Sequence, residues 1–116
     1  MQESKLRAQT LDFAVLIINL VKELKSKHET IISNQVGRSG MSIGANIREA
    51  KYAHSKPDFV AKLQIALKEC YETEYWLEIA QKSEILSEET ASSLLHDSGS
   101  IRRILISSIN TAKANQ

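Results

Sequence analysis

One cysteine, Cys70, is present in 116 residues. An internal disulfide and a cysteine-based zinc cluster are both excluded. Proline occurs once, at Pro57, and aromatic residues make up only 5% of the chain. Leu, Ile, Ala, Glu, Lys and Ser dominate instead, a balance that favours an all-α protein over a sandwich or barrel. Neither sign of charge prevails: the formal net charge is +1. Total charge therefore selects no partner, and only its distribution could. The longest apolar run, Phe13 to Ile18, is far short of the roughly 20 residues of a membrane span. Met1 to Thr10 is polar and mixed in charge, unlike a signal peptide. The expectation is one soluble cytoplasmic domain over residues 1–116, without a membrane partner.

What is present is helical periodicity. From about Glu3 to Lys27, Leu6, Phe13, Ile17, Leu20 and Leu24 form one stripe at 3.6-residue spacing. Leu11, Ala14, Ile18 and Val21 form a second stripe beside it. So wide an apolar face packs on two sides, either deep within one chain or against another subunit. A third helix is predicted from about Pro57 to Lys82. Ser55 caps it, Pro57 suits its first turn and Asp58 favours its positive end. Phe59, Leu63, Ala66, Cys70, Thr73, Leu77 and Ala80 alternate spacings of four and three, which is a bundle seam. Ile65, Trp76 and Ile79 lie on another face. Cys70 on that seam reads as a small core residue. A fourth helix opens with Ser87-Glu88-Glu89 and carries Leu94, Ser98, Ile101, Leu105, Ser108 and Ala112, with Leu95, Ile104 and Ile109 alongside.

The segment between the first and third helices poses the main question. "VGRSGMSIGANIREAKYAH", Val36 to His54, holds three of the four glycines. A phosphate-binding loop is disfavoured: neither G-x-x-x-x-G-K-[ST] nor G-x-G-x-x-G occurs, and no strand precedes the glycines. Ser39 is not in a nucleophile elbow, because position 41 is Met. Ile32, Val36, Ile43, Ile47 and Ala50 keep a heptad-like rhythm straight through the glycines, from about Thr30 to His54. Each glycine costs about 1 kcal/mol against alanine inside a helix, which close approach of a neighbouring chain can offset. Gly37, Gly40 and Gly44 therefore predict a helix made slim along one face. Similar helix lengths and short connections then give an antiparallel up-down-up-down four-helix bundle.

Catalytic chemistry is missing. His28 and His54 fall at opposite ends of such a bundle, and no Glu-x-x-His pair supplies a di-iron site. Glu69, Glu72, Glu74 and Glu78 are the only dense acids, and no histidine stands with them. Neither an enzyme nor a cofactor is expected. Helices two and three form a hairpin centred near Lys56, so position i faces roughly 112 − i. Arg38 then falls opposite Glu74 and Arg48 opposite Gln64, which predicts a partly buried ion pair from Arg38 to Glu74 or Glu72.

Charge separates along the bundle. The turn between helices two and three shares an end with both termini. Lys5, Arg7, Arg48, Lys51, Lys56, Lys62 and Lys113 lie there, against Glu3, Asp12, Glu49 and Asp58. The opposite end carries Lys22, Lys25, Lys27 and Lys82 against Glu23, Glu29, Glu78, Glu84, Glu88 and Glu89. The N-termini of helices one and three are expected to add their dipoles to the basic end. Lys5, Arg7, Arg48, Lys51, Lys56 and Lys62 are the candidate contacts to a phosphate backbone. Aromatic side chains are not interleaved among them, so binding would carry little sequence preference.

"SNQVGRSGMSIGANIREA" (Ser33 to Ala50) and "PDFVAKLQIALKECYETEYWLEIA" (Pro57 to Ala80) together resemble the 23S rRNA intervening-sequence proteins. The accessory proteins of diversity-generating retroelements belong to the same group. The resemblance rests on Arg38-Ser39-Gly40, Ser42 to Ile47, Glu49-Ala50, Phe59, Ile65-Ala66-Leu67, Glu72, Glu74 and Leu77. It is close through helices two and three and looser in the others. Ala50 stands where many relatives have Gly. The resemblance implies an antiparallel bundle assembling into a homopentameric ring. It also implies nucleic-acid binding through a basic surface, or a nucleoprotein partner such as a reverse transcriptase. It marks Arg38, Gly40, Gly44, Asn46, Glu72 and Glu74 as structural positions, with the Asn46 amide expected to be at least half buried. The competing expectation is a protein-interaction scaffold without nucleic-acid affinity.

Overall fold

A computed structural model describes residues 2–115, with side chains from Lys5 onward. Four helices follow in order: α1 (Gln2–Ser26), α2 (Thr30–Ala50), α3 (Lys56–Lys82) and α4 (Glu88–Ala114). They form an antiparallel bundle of 47 × 21 × 20 Å. Each helix packs on two neighbours; α1 and α3 are diagonal, as are α2 and α4. The least extensive seam is the one between α1 and α4.

The predicted stripes are the core. Phe13, Ile17 and Leu24 of α1, Val36 and Ile43 of α2, Leu77 of α3, and Ile101 and Leu105 of α4 are fully buried. Burying each such side chain contributes about 1.5–3 kcal/mol. In α4, Ile109 rather than Ser108 reaches the core, and Ser108 is half-buried.

The glycine segment is helix throughout. A Cβ on Gly40 would lie 2.9 Å from Ile17 Cγ1, one on Gly37 3.1 Å from Val21 Cγ2, and one on Gly44 3.4 Å from Thr10 Cβ. The slim face of α2 therefore receives α1. α2 stops earlier than its rhythm suggests, at Ala50 instead of His54. Lys51, Tyr52 and Ala53 donate to carbonyls three residues back, a tightened last turn that unwinds toward the cap of α3.

Local chemistry fixes the turns. Ser55 Oγ accepts the Asp58 amide at 3.2 Å, and Ser87 Oγ accepts the Thr90 amide at 3.1 Å. α1 and α3 both end on a left-handed residue, His28 at φ 63° and Glu84 at φ 62°. In each case the paired 6→1 and 5→2 bonds of a Schellman motif form: Glu29 N to Leu24 O with His28 N to Lys25 O, and Ile85 N to Ala80 O with Glu84 N to Gln81 O. None of the described helices is long and apolar enough to cross a membrane.

Candidate nucleic-acid interface

Topology puts the α2–α3 turn at the end where α1 starts and α4 finishes. Lys5, Arg7, Arg48, Lys51, Lys56 and Lys62 gather there, as their places in the helices require. They are not equivalent. Lys62 Nζ sits 3.4 Å from Glu49 Oε1, so its charge is already answered within the bundle. Asp58 accepts the His54 amide at 3.2 Å, a bond from a neutral group that leaves its negative charge in place. Arg7 and Arg48 line one shallow depression with Ala8 and Leu11, across the α1–α2 seam. Lys51 and Lys56 stand at the mouth of a second one at the tip. Among the described residues, Lys5, Arg7, Arg48, Lys51 and Lys56 make no ion pair. Glu3, counted among the acids of this end, has its side chain outside the described residues.

One part of the electrostatic expectation is corrected. The C-termini of α2 and α4 share the basic end with the N-termini of α1 and α3. Antiparallel macrodipoles cancel, so side chains alone make this end positive.

The expected ion pair is present, with Glu72, the second of the two carboxylates named, as the partner. Arg38 Nη2 donates to Glu72 Oε2, and its Nη1 stands 3.6 Å from Glu69 Oε1, near enough for attraction but too long for a hydrogen bond. Glu72 Oε2 also accepts the Trp76 indole N–H at 3.0 Å. Arg38 remains half exposed (51%). Glu74 is turned away to α4, where it accepts Arg102 Nε at 3.1 Å and the Ser98 hydroxyl at 2.9 Å. The Arg102 guanidinium also lies 5.5 Å from the Tyr71 ring centroid. Each acid thus ties α3 to a different neighbour. Applying the hairpin rule to the α3–α4 turn at Ile85 would have set Glu74 level with His96, within a turn of Ser98. Arg102 lies nearly two turns beyond that level, so its long side chain, and not the register, brings it to Glu74. The Asn46 amide is largely buried and donates to the Ser42 carbonyl at 2.9 Å, within its own helix.

Cys70 is fully buried. Desolvation, helped by the nearby Glu74 charge, pushes its thiol from 9.0 to about 12, although a hydrogen bond with Ser98 and the Arg102 charge oppose this. The sign of the linkage follows. Below 9.0 the thiol is protonated folded and unfolded alike; between 9.0 and about 12 only the unfolded chain gives up the proton, so stability falls as pH rises. A thiol reagent at mildly alkaline pH is expected to leave native Cys70 unlabelled and to react fully once urea unfolds the chain. Rapid labelling of the folded protein would place Cys70 outside the core.

Apolar surface is concentrated in two places. On α1, Leu11 (58% exposed), Val15 (54%) and Ile18 (39%) form an outer stripe, continued by Met41 of α2. Leu11, Ala14, Met41, Gly44 and Ala45 line a groove of about 250 Å³ between α1 and α2, with Arg7 and Arg48 also on its lining. On α3, Ile65, Tyr71 and Tyr75 are exposed. Trp76 and Ile79, grouped with Ile65 in the sequence reading, instead pack against the core. Because α1 and α3 are diagonal, the patch of Tyr71 and Tyr75 faces away from the α1 stripe, whereas Ile65, one turn before Glu69, lies on the α2 flank of α3.

Comparison with known proteins agrees with the fold. A crystal structure of a protein of unknown function from the S23 ribosomal protein family of Bacteroides thetaiotaomicron is 47% identical, with a TM-score of 0.93 over 95% of this chain and 99% of that one. No curated protein matches. The sequence profile of the 23S rRNA-intervening sequence proteins matches residues 2–107. Profile and architecture together place the chain in the 23S rRNA-intervening sequence protein family.

Proposed function

We propose that this protein is a non-enzymatic, ring-forming subunit that binds nucleic-acid phosphate backbone, or a nucleoprotein partner such as a reverse transcriptase, at its basic end. The observation that carries the nucleic-acid reading is how the charges there are used. Glu49 is paired with Lys62, and Arg7, Arg48, Lys51 and Lys56 have no acidic partner among the described residues. Cations placed in this way can exchange counterions for phosphates. The family's link to rRNA genes supports the choice of ligand.

Ring formation is supported by the two unlike apolar patches. A patch that matched itself would favour a two-fold dimer. Two different patches, the α1 stripe and the face of Tyr71 and Tyr75, suit head-to-tail contact, which closes into a ring when the rotation allows. A homopentamer is the ring that the family resemblance implies. Such a ring would gather every copy's basic end on one rim and multiply its field.

Light scattering tests assembly, and a salt series tests binding. Fluorescence anisotropy with a structured rRNA fragment and with duplex DNA should give affinities that fall about a hundredfold from roughly 50 to 200 mM salt for four phosphate contacts. Lys51→Glu with Lys56→Glu should weaken binding at least about tenfold, leaving the mass unchanged. A ring whose affinity ignores both salt and these substitutions would support the second reading, a protein-interaction scaffold, for which the exposed Ile65, Tyr71 and Tyr75 offer a surface. A solution mass of 13.0 kDa at high concentration would remove the ring.

A further inference from the structure

The two ends of the bundle are closed unequally. At one end the α3–α4 turn folds over the core, and Leu86 within it is only 4% exposed. At the other, Tyr52, the largest side chain of the α2–α3 turn, is 72% exposed and covers nothing. A cup of about 290 Å³ is left there. Its floor is core: Leu6, Ile47, Phe59, Leu63 and Ala112. Its mouth carries Lys51 and Lys56, with Thr111 and Asn115, and no carboxylate lines it among the described residues.

We propose that this cup binds a medium-chain fatty carboxylate, its tail on the apolar floor and its head between the Lys51 and Lys56 ammonium groups. Small-molecule sites span about 300–1,000 Å³, and this cup, at the lower edge of that range, suits one short flexible chain. Both halves of the ligand are needed. A free phosphate or nucleotide would leave the floor wet, and a neutral hydrocarbon would leave the two cations unanswered. A cationic amphiphile would be repelled at the mouth. Lysine suits this position, because its methylene stem can cover the tail while its ammonium group stays hydrated. The site shares Lys51 and Lys56 with the proposed phosphate contacts but does not depend on them as such: no phosphate could reach Ile47 or Leu63.

Sodium decanoate, titrated below its micelle concentration into methyl-labelled protein, should give saturable shifts at Leu6, Ile47 and Leu63 and none at Leu24 or Leu86. Thr111→Trp, made at an exposed α4 position, should fill the mouth and abolish these shifts without moving the melting curve. Nucleic-acid affinity should be unchanged, since every basic side chain is kept. If that variant unfolds, Ser108→Leu narrows the cup from the preceding turn and is read in the same way. Lys51→Gln with Lys56→Gln should weaken decanoate at least about fivefold. Decyltrimethylammonium should leave the cup methyls unmoved. The proposal is overturned if decanoate perturbs Leu11, Val15 and Ile18 in place of the cup. It is equally overturned if the cationic amphiphile shifts the same methyls, or if the narrowed variants bind as before.

Discussion

Gly40→Val is expected to destabilise the bundle by about 3 kcal/mol, the upper part of the range for overpacking a well-filled core. A Cβ at this position would stand 2.9 Å from Ile17 Cγ1 and 3.1 Å from both Cγ2 and Cδ1. Ile17 is fully buried and branched at Cβ, so it has no rotamer into which it can retreat. Valine adds methyl groups beyond that Cβ, and the only relief is to push α1 outward along its length. Against a total stability of about 5–15 kcal/mol, such a loss is large. Gly40→Ala should cost less, because a helix-propensity gain of about 1 kcal/mol offsets part of the clash. Gly44→Ala should be neutral or stabilising by up to about 1 kcal/mol, since its Cβ would meet Thr10 at 3.4 Å, an ordinary contact. Urea unfolding should therefore rank Gly44→Ala as the most stable of the three variants, Gly40→Ala next and Gly40→Val last. Equal midpoints for Gly40→Val and the parent would mean that α1 does not lie in the glycine groove.

Thr73→Val should cost about 1–3 kcal/mol, the cost of stranding a buried polar group. Ser39 and Thr73 are both fully buried, and their hydroxyl oxygens lie 2.8 Å apart across the α2–α3 seam. The Thr73 hydroxyl is also 2.8 Å from the Glu69 carbonyl. It has one proton to give. The arrangement that satisfies both groups has Thr73 donating to Glu69 O and Ser39 donating to Thr73 Oγ1. Valine keeps the shape of threonine and removes the acceptor, so the Ser39 hydroxyl loses its partner. Adding Ser39→Ala removes that orphan as well. The double variant should therefore be less destabilised than the sum of the two singles, a coupling that a double-mutant cycle reads directly. Additive costs would show that the two hydroxyls act independently.

The fold was legible because its signals are one-dimensional. Ile32, Val36, Ile43 and Ile47 repeat at a period that only a helix uses, and glycine does not interrupt a repeat carried by its neighbours. The hairpin register was legible too: Ser39 meets Thr73, a pair whose numbers sum to 112. A sum fixes the level along two helices but not the rotation of either. That is why Arg38 could be set opposite Glu74 while Glu72 and Glu69 take it: positions 69, 72 and 76 share the α2 flank of α3, and Glu74 lies on the α4 flank. The end of α2 was hidden for a different reason. Nothing in Lys51-Tyr52-Ala53-His54 forbids helix, and what stops it is the cap of α3 competing for the same short span. The outer stripe of α1 was visible, but periodicity cannot tell a buried face from an exposed one; the structure leaves Leu11, Val15 and Ile18 exposed. The basic end was visible as a list of lysines and arginines, whereas the engagement of Lys62 by Glu49 required coordinates.

The order of packing around the bundle bears on how the chain reaches this shape. Three of the four seams join helices consecutive in sequence, and only the sparse α1–α4 seam asks distant segments to meet. Growth can proceed hairpin by hairpin, with short loops closed first, in the microsecond-to-millisecond regime of low-contact-order helical proteins. Every large core side chain finds its cover within the same polypeptide. A single copy can therefore complete its fold alone, so the rate at which the fold is acquired should not depend on protein concentration.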